Sequence, residues 1–435
     1  MNKQSKQMKL GLFLAGYGHH VAAWRHPEAN TAGPMDLDHL IHTAKNAESG
    51  KFDMVFLADS LFVSSTSHPN IISRYEPLTL LSALSRETTN IGLAATASTT
   101  YSEPFHVARQ FSSLDHLSNG RAAWNVVTSS IPQTAENFNG SKHMEHELRY
   151  ERAQEFVEVV TSLWNSWEEL TLIRDKENGV FVDAKKMLPI NHSGKHFKVK
   201  GPLNIERSPQ GKPVLIQAGS SPAGTTLAAQ IADVVFTAQT NLEDARAFYK
   251  TIKEKAASFG RNPNHVLIMP GIFPVIAETD LEAKAEYEKL QNLIPKEIGL
   301  GILSNYLGGI DLSHYSLDSK FNDLEINEID GVQSRFQLIK KMALKENLTL
   351  EQLYKRIAGS RGHHVFIGTA EALADKLEEW VLEEACDGFN IMPPLLAGQF
   401  DTFIEKVIPI LQERGIYKKD YEGNTLRERL GLPQV

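Results

Sequence analysis

Five residues, Gln217-Ala218-Gly219-Ser220-Ser221, stand directly ahead of a proline. Glycine allows close backbone approach to a ligand, the two hydroxyls can donate, and Pro222 suits the first turn of a helix. Such a strand-to-helix turn aims N–H groups at an anion, so Ser220 and Ser221 are candidate phosphate ligands. The same residues also read as an ordinary helix cap. His143, His146 and Tyr150 share a helical spacing, with His146 and Tyr150 one turn apart on one face. That pair could grip a ligand's polar edge or phosphate. A zinc pair from His143 and His146 would need a third ligand, and none of the needed type lies close by in sequence, so no metal site is expected.

Other polar residues follow apolar runs. Ala58-Asp59-Ser60 ends one run, Thr96-Ala97-Ser98-Thr99-Thr100 another, and Thr128-Ser129-Ser130 a third. The first run leads into His19-His20 and Trp24-Arg25-His26-Pro27. Hydroxyls, glycines and imidazoles with few charges suit a large neutral or singly phosphorylated ligand, not a carboxylate nest for metal ions.

These residues need elements to position them. Eight short apolar runs read as strands: Leu10–Ala15, Asp53–Leu57, Ile91–Ala95, Arg121–Val126, Val214–Gln217, Val234–Thr237, Val266–Gly271 and Gly388–Met392. Near-continuous apolarity marks strands buried on both faces of a parallel sheet. Amphipathic helical stretches alternate with them, which predicts an α/β fold, a (β/α)8 TIM barrel forming a single domain over residues 1–435. An open doubly wound sheet is the alternative, and Gly16-Tyr17-Gly18 lacks the third glycine of a dinucleotide fingerprint. Two polar excursions, at about 168–213 and 294–362, break the rhythm and read as barrel insertions, of the length that lids and covers have.

The chain has 435 residues with a formal charge of 45 − 53 = −8. At 42% hydrophobic and 23% charged it is globular rather than disordered, and its mild acidity argues against nucleic acid. The single Cys386 excludes an internal disulfide framework and reads as a buried small hydrophobe. No run approaches the ~18 apolar residues of a membrane span. Lys3, Lys6 and Lys9 precede an apolar run that lacks a small-residue cleavage site, so the expectation is a cytoplasmic protein.

Taken together and in order, several tags resemble those of the bacterial luciferase-like, flavin-dependent monooxygenases, in the group containing nitrilotriacetate, EDTA, pristinamycin and dibenzothiophene-sulfone monooxygenases. They are Trp24-Arg25-His26-Pro27, Phe56-Leu57-Ala58-Asp59-Ser60, Arg74-Tyr75-Glu76-Pro77 and Asp115-His116-Leu117-Ser118-Asn119-Gly120-Arg121. Trp124-Asn125-Val126-Val127-Thr128-Ser129, the Gln217–Ser221 turn and Asp387-Gly388-Phe389-Asn390 continue the series. The resemblance spans nearly the whole chain. It implies a two-component enzyme that takes FMNH2 from a separate NAD(P)H-dependent flavin reductase and uses O2 to oxygenate a small sulfur- or nitrogen-containing substrate, often with C–S or C–N cleavage. It also implies FMN contacts from Asp59 and Thr96 near the ring, and from His146, Tyr150, Ser220 and Ser221 near the phosphate. His20, His26 and His314 are its candidates to hydrogen-bond the oxygen-activated flavin or the substrate. A homodimer or homotetramer is expected, with Leu78–Leu84 and Phe105–Leu117 as a pairing face. The alternatives are a deazaflavin-dependent oxidoreductase on the same fold, a non-catalytic flavin-binding relative, and a metal-dependent hydrolase, for which the strand ends supply no ligand set.

Overall fold

The structure, a computed structural model, describes residues 7–65, 67–140, 142–324 and 333–435. Lys3, Lys6 and the part of the second insertion at 325–332 lie outside the described residues. The strands are β1 (Lys9–Phe13), β2 (Met54–Leu57), β3 (Gly92–Ser98), β4 (Ala122–Val127), β5 (Val214–Gln217), β6 (Val234–Thr237), β7 (Leu267–Ile276), β8 (His364–Gly368) and β9 (Gly388–Ile391). All pair in parallel, and β1 to β7 with β9 form a closed ring of eight. Its closing register sets Leu10 opposite Phe389. The eight expected runs are these eight strands. β8 is a ninth, paired to the far half of β7 with Ile272 opposite His364.

Period-two alternation sorts the side chains into layers. Phe13, Met54, Phe56, Ala94, Ala123, Ile216 and Met269 point inward into one buried cluster. Leu12, Val55, Leu93, Trp124 and Leu215 point outward into a larger one shared with the surrounding helices. Those helices include α1 (Leu37–Ser49), α2 (Pro77–Glu87), α3 (Pro104–Leu117), α4 (His146–Trp164), α5 (Pro222–Ile231), α6 (Leu242–Ser258) and α7 (Asp280–Asn292). Cys386 is fully buried in the outer cluster. In the two segments expected as a pairing face, Leu78, Leu80, Leu81, Leu84, Val107, Phe111 and Leu114 are buried within the chain, while Thr79, His106, Gln110, Ser113 and Leu117 are exposed. Among the described residues no helix is long and apolar enough to cross a membrane.

The two insertions have different fates. The first makes two small hairpins, Leu172–Asp175 with Val180–Val182 and His192–Ser193 with Lys198–Val199. Glu155 on α4 holds the second, accepting from His196 N and Phe197 N at 2.9 Å each and facing His192 Nε2 at 2.9 Å. Its residues pack on α4 and against Thr425, Arg427 and Val435, and none of them lines the mouth cavity described below, in contrast to the lid expected there. The second insertion holds α8 (Lys296–Tyr306), α9 (Gln333–Lys345) and α10 (Leu350–Ser360) around a core of its own, including Leu303, Ile339, Leu353 and Ile357. Val21 and Ala22 from the loop after β1 belong to that core, which fastens it over the barrel mouth.

Candidate active site

The site lies where the strands end, as in barrels of this type. A cavity of about 1120 Å³ opens there between Ser130 after β4, His143, His146 and Arg149 at the start of α4, and Ile302, Tyr306 and Arg361 of the second insertion. That volume exceeds what a single drug-sized ligand usually occupies, and leaves room for a cofactor and a substrate together.

On one side of the mouth, two elements converge. His146 opens α4, and its ring lies 4.9 Å from that of Tyr150. The β5–α5 turn meets them. A Cβ placed on Gly219 would come within 2.5 Å of Gln217 Nε2, 3.0 Å of Gly224 Cα and 3.1 Å of the Tyr150 hydroxyl. Glycine is therefore required by space, and Tyr150 reaches the turn. Ser221 caps α5, its Oγ accepting from Gly224 N at 3.1 Å, with Pro222 at the first helical position. The two readings of the turn are thus compatible, because an accepting hydroxyl keeps its own proton to donate. Ser220 is exposed beside it. His146, Tyr150, Ser220 and Ser221 form one group.

Thr96 sits differently from expectation. β3 runs on to Ser98, so Thr96 is inside the strand and buried in the barrel rather than in the loop that follows. Its register partner Asn125 donates from Nδ2 to Thr96 Oγ1 at 2.8 Å. Asn125 Oδ1 is buried without a partner, as are Thr100 Oγ1 and Arg149 Nε. Such atoms are rare in folded proteins. Asp59, after β2, accepts from Ser60 N at 2.9 Å and from Arg74 at 2.8 Å. Burial raises its carboxyl pKa, with Arg74 opposing.

The imidazoles divide. His20 is buried, its Nδ1 accepting from Ala22 N at 3.1 Å and its ring packed near Gly359 of α10. Burial holds its pKa down to about 3. His26 is a loop anchor, its Nε2 2.9 Å from Lys289 and 3.2 Å from Glu286 on α7. His314 stands on the surface against Tyr315 and leaves 62% of its side chain exposed. None of the three lines the large cavity. His19, noted in the sequence only as half of the His19-His20 pair, and His68, which was not singled out, are buried in the mouth. His19 faces the Phe13 carbonyl at 3.1 Å and His68 the His19 carbonyl at 3.2 Å. His143 faces the Tyr101 hydroxyl at 2.7 Å. Burial, then the Arg149 charge, lowers the pKa of His143 and His146, which keeps both neutral at pH 7. The signals for these omissions were slight: Asn125 is an amide inside an apolar strand, and Arg361 follows a helix end just before Gly362.

A closed parallel barrel with a Gly-Ser-Ser turn opening a helix at its mouth and a roofed cavity beside it defines an enzyme class. The luciferase-like monooxygenase family model matches residues 18–385, and the chain belongs to that family. It is 61% identical to the N-acetyl-S-(2-succino)cysteine monooxygenase of Bacillus subtilis, over 99% of this chain and 98% of that protein. It is 46% identical to nitrilotriacetate monooxygenase component A of Aminobacter aminovorans, over 98% and 97%. A solved structure of riboflavin lyase with modified FMN and riboflavin superposes with a TM-score of 0.87 at 32% identity, covering 99% of this chain and 97% of that one. The chain is a monooxygenase whose relatives act on sulfur and nitrogen compounds.

Proposed function

We propose that the protein is the oxygenase component of a two-component, FMN-dependent system. Reduced FMN comes from a separate NAD(P)H-dependent flavin reductase, and the substrate is a small thioether carrying several carboxylates, of the N-acetyl-S-(2-succino)cysteine type. The observation that carries the reading is the chemistry of the mouth. The anion cradle at Gly219–Ser221 and the unpartnered Asn125 and Thr100 suit a phosphorylated, hydrogen-bonding heteroaromatic cofactor. Beside it, Lys142, Arg149 and Arg361 outnumber Glu145 and Glu147 in the cavity lining, 3 − 2 = +1. A positive cavity favours an anionic substrate, and the substrates named for the two relatives above each bear three carboxylates.

When bound, reduced FMN supplies the two electrons that let one atom of O2 enter the substrate while the other leaves as water. Everything else falls to the chain. Ser220, Ser221, Tyr150 and the N–H groups at the start of α5 hold the phosphate. Asn125 and Thr96 orient the ring edge, with Asp59 fixed by Arg74. Ile302, Tyr306 and Ala358 roof the cavity with apolar surface and exclude water. His143 and His146, neutral at pH 7, offer hydrogen bonds without adding charge. Oxygen placed on the carbon bearing sulfur gives a hydroxy thioether, which loses its O–H proton and expels the thiol as the C–S bond breaks, leaving a ketone.

The test is aerobic turnover of N-acetyl-S-(2-succino)cysteine with a flavin reductase, NADH and FMN, following N-acetylcysteine release. Release that needs both FMN and O2 is the expected result. Failure of reduced FMN to bind in an anaerobic titration, or turnover that continues without O2, overturns the reading and favours the deazaflavin alternative.

A further inference from the structure

Among the described residues four arginines are buried: Arg121, Arg149, Arg427 and Arg429. A guanidinium out of water is costly unless hydrogen bonds or a carboxylate satisfy it, so buried arginines are ordinarily paired. Three of the four follow that rule. Arg121 makes five hydrogen bonds, to Ser118 O, Thr88 Oγ1, Ile91 O, Ser85 O and Thr88 O. Arg427 pairs with Asp233 at 2.9 Å and donates to Pro433 O at 3.0 Å. Arg429 donates to Gly423 O, Asn90 O, Asn90 Oδ1 and Asn424 O. All three stand at the end of the barrel where the strands begin.

Arg149 stands at the mouth, 5% exposed, and breaks the rule. Its one hydrogen bond runs from Nη1 to the Met144 carbonyl. Nε is buried without a partner, and Nη2 makes no bond among the described residues. No carboxylate among the described residues ion-pairs with it. Glu145 and Glu147, the acids of the cavity lining, are exposed, and Glu145 faces Lys142 at 3.7 Å. Burial pulls the pKa of Arg149 below its ordinary value, with Tyr150 and Tyr101 opposing. Nε and Nη2 share one edge of the guanidinium, the edge that receives two oxygens of a phosphate or carboxylate side by side.

Placement agrees with that chemistry. His146, Arg149 and Tyr150 lie at i, i+3 and i+4, on one face of the first turns of α4. Tyr150 reaches the Gly219–Ser221 turn, which offers hydroxyls and N–H groups but no cation. A buried oxyanion held by neutral donors alone lacks a countercharge, and Arg149 is the cation beside it.

We propose that Arg149 is the countercharge for an oxyanion bound in the mouth, received on its Nε and Nη2 edge: the phosphate of the flavin or a carboxylate of the substrate. This rests on the reading above for the two ligands. The face shared with Tyr150 makes the phosphate the expected source.

Two arms test it. Anaerobic titration compares reduced FMN with reduced riboflavin, which lacks the phosphate. The wild type should prefer FMN, and R149Q should lose about tenfold or more in FMN affinity while riboflavin affinity holds. R149K keeps the charge without the two-pronged edge and should show the same pattern at smaller size, so it carries the test if R149Q does not fold. In the second arm, calorimetry follows tricarballylate, a probe that needs no oxidation. A loss in R149Q confined to tricarballylate keeps the site and assigns it to the substrate's carboxylate. A wild type that binds no flavin but binds tricarballylate through Arg149 supports the site and refutes the flavin reading. Riboflavin affinity that falls together with FMN affinity, no loss for either anion, or a wild type that binds none of the three probes each overturn the site.

Discussion

The two ends of the barrel use their polar residues in opposite ways. At the end where strands begin, Asp53, Asp233 and Asp387 each stand one residue before a strand. Each accepts a backbone N–H from the strand beside it: Leu10 N at 2.7 Å, Leu215 N at 3.0 Å and Ile268 N at 2.8 Å. Each also meets a cation: Lys418, Arg427 at 2.9 Å and Lys253 at 3.0 Å, respectively. Leu426, Leu430 and Leu432 plug the same end. At the other end Asn125 Oδ1, Thr100 Oγ1, His19 Nδ1 and Arg149 Nε are buried with no partner. At the first end these three carboxylates are satisfied internally, which adds stability. At the other end the unpartnered atoms cost stability that the first end offsets.

The sharpest way to break this contrast is Asp233→Ala. It strands Arg427, 3% exposed, as a buried charge and leaves Leu215 N without its acceptor. Removing one partner of such a pair costs about 3–5 kcal/mol, which a urea midpoint should report, while reduced FMN binds the folded protein as before. A changed flavin affinity at unchanged stability would reverse the assignment of the two ends. Next in size is the double change Ser220→Ala with Ser221→Ala at the opposite end. Hydrogen bonds to a charged group are worth ~1.5–3 kcal/mol each, so FMN affinity should fall tenfold or more. Stability should fall by only about 1 kcal/mol, from the lost Ser221 cap. An unchanged affinity would put the phosphate elsewhere.

How much of each end was legible in the sequence follows from the same difference. The ring could be read because strands buried on both faces are apolar runs, and Asp-Met-Val-Phe at 53 and Asp-Val-Val-Phe at 233 announce the starts of two of them. β8 is absent from the eight expected strands, because four of its five residues are only partly buried and two histidines, His363 and His364, lead into it. The Gly219–Pro222 turn and the His146–Tyr150 pair could be named as candidates because their parts are local, consecutive in the turn and one helical turn apart in the pair. Arg361 could not, since only the closure of a long insertion over the loop after β1 brings it to the mouth. Thr96, expected in the loop after its strand, lies inside β3, because Ala97 and Ser98 extend β3 without the apolar signal that marks a strand.

A pH series sharpens the contrast at a smaller scale. His19 and His20 have pKa values held near 3 by burial, below the ordinary 6.5, and His68 is lowered by the same cause. Below 6.5 the unfolded chain binds protons that the folded chain refuses, so stability is complete above that pH and declines as pH falls toward 3. The slope is at most about 1.4 kcal/mol per pH unit for each histidine. Urea midpoints at pH 7.5, 6 and 5 should show this decline, and His19→Gln should flatten it. A decline of equal steepness in that variant would place the acid sensitivity in other groups.

The smallest effect belongs to His314. Its side chain is mostly exposed, and the Asp311 carboxylate lies 4.0 Å away, an exposed pair of a kind worth roughly 0–1 kcal/mol. His314→Ala should therefore change kcat/KM less than threefold and leave the melting temperature in place, whereas His20→Ala removes a ring that is 1% exposed beneath the roof and should disturb both. Steady-state kinetics on the two variants, with reduced FMN affinity measured alongside, separate the cases. A tenfold fall in kcat for His314→Ala at unchanged flavin affinity would mean that the roof closes further during turnover and carries His314 inward. The mouth end of the barrel would then extend into the second insertion, beyond the cavity that its resting form encloses.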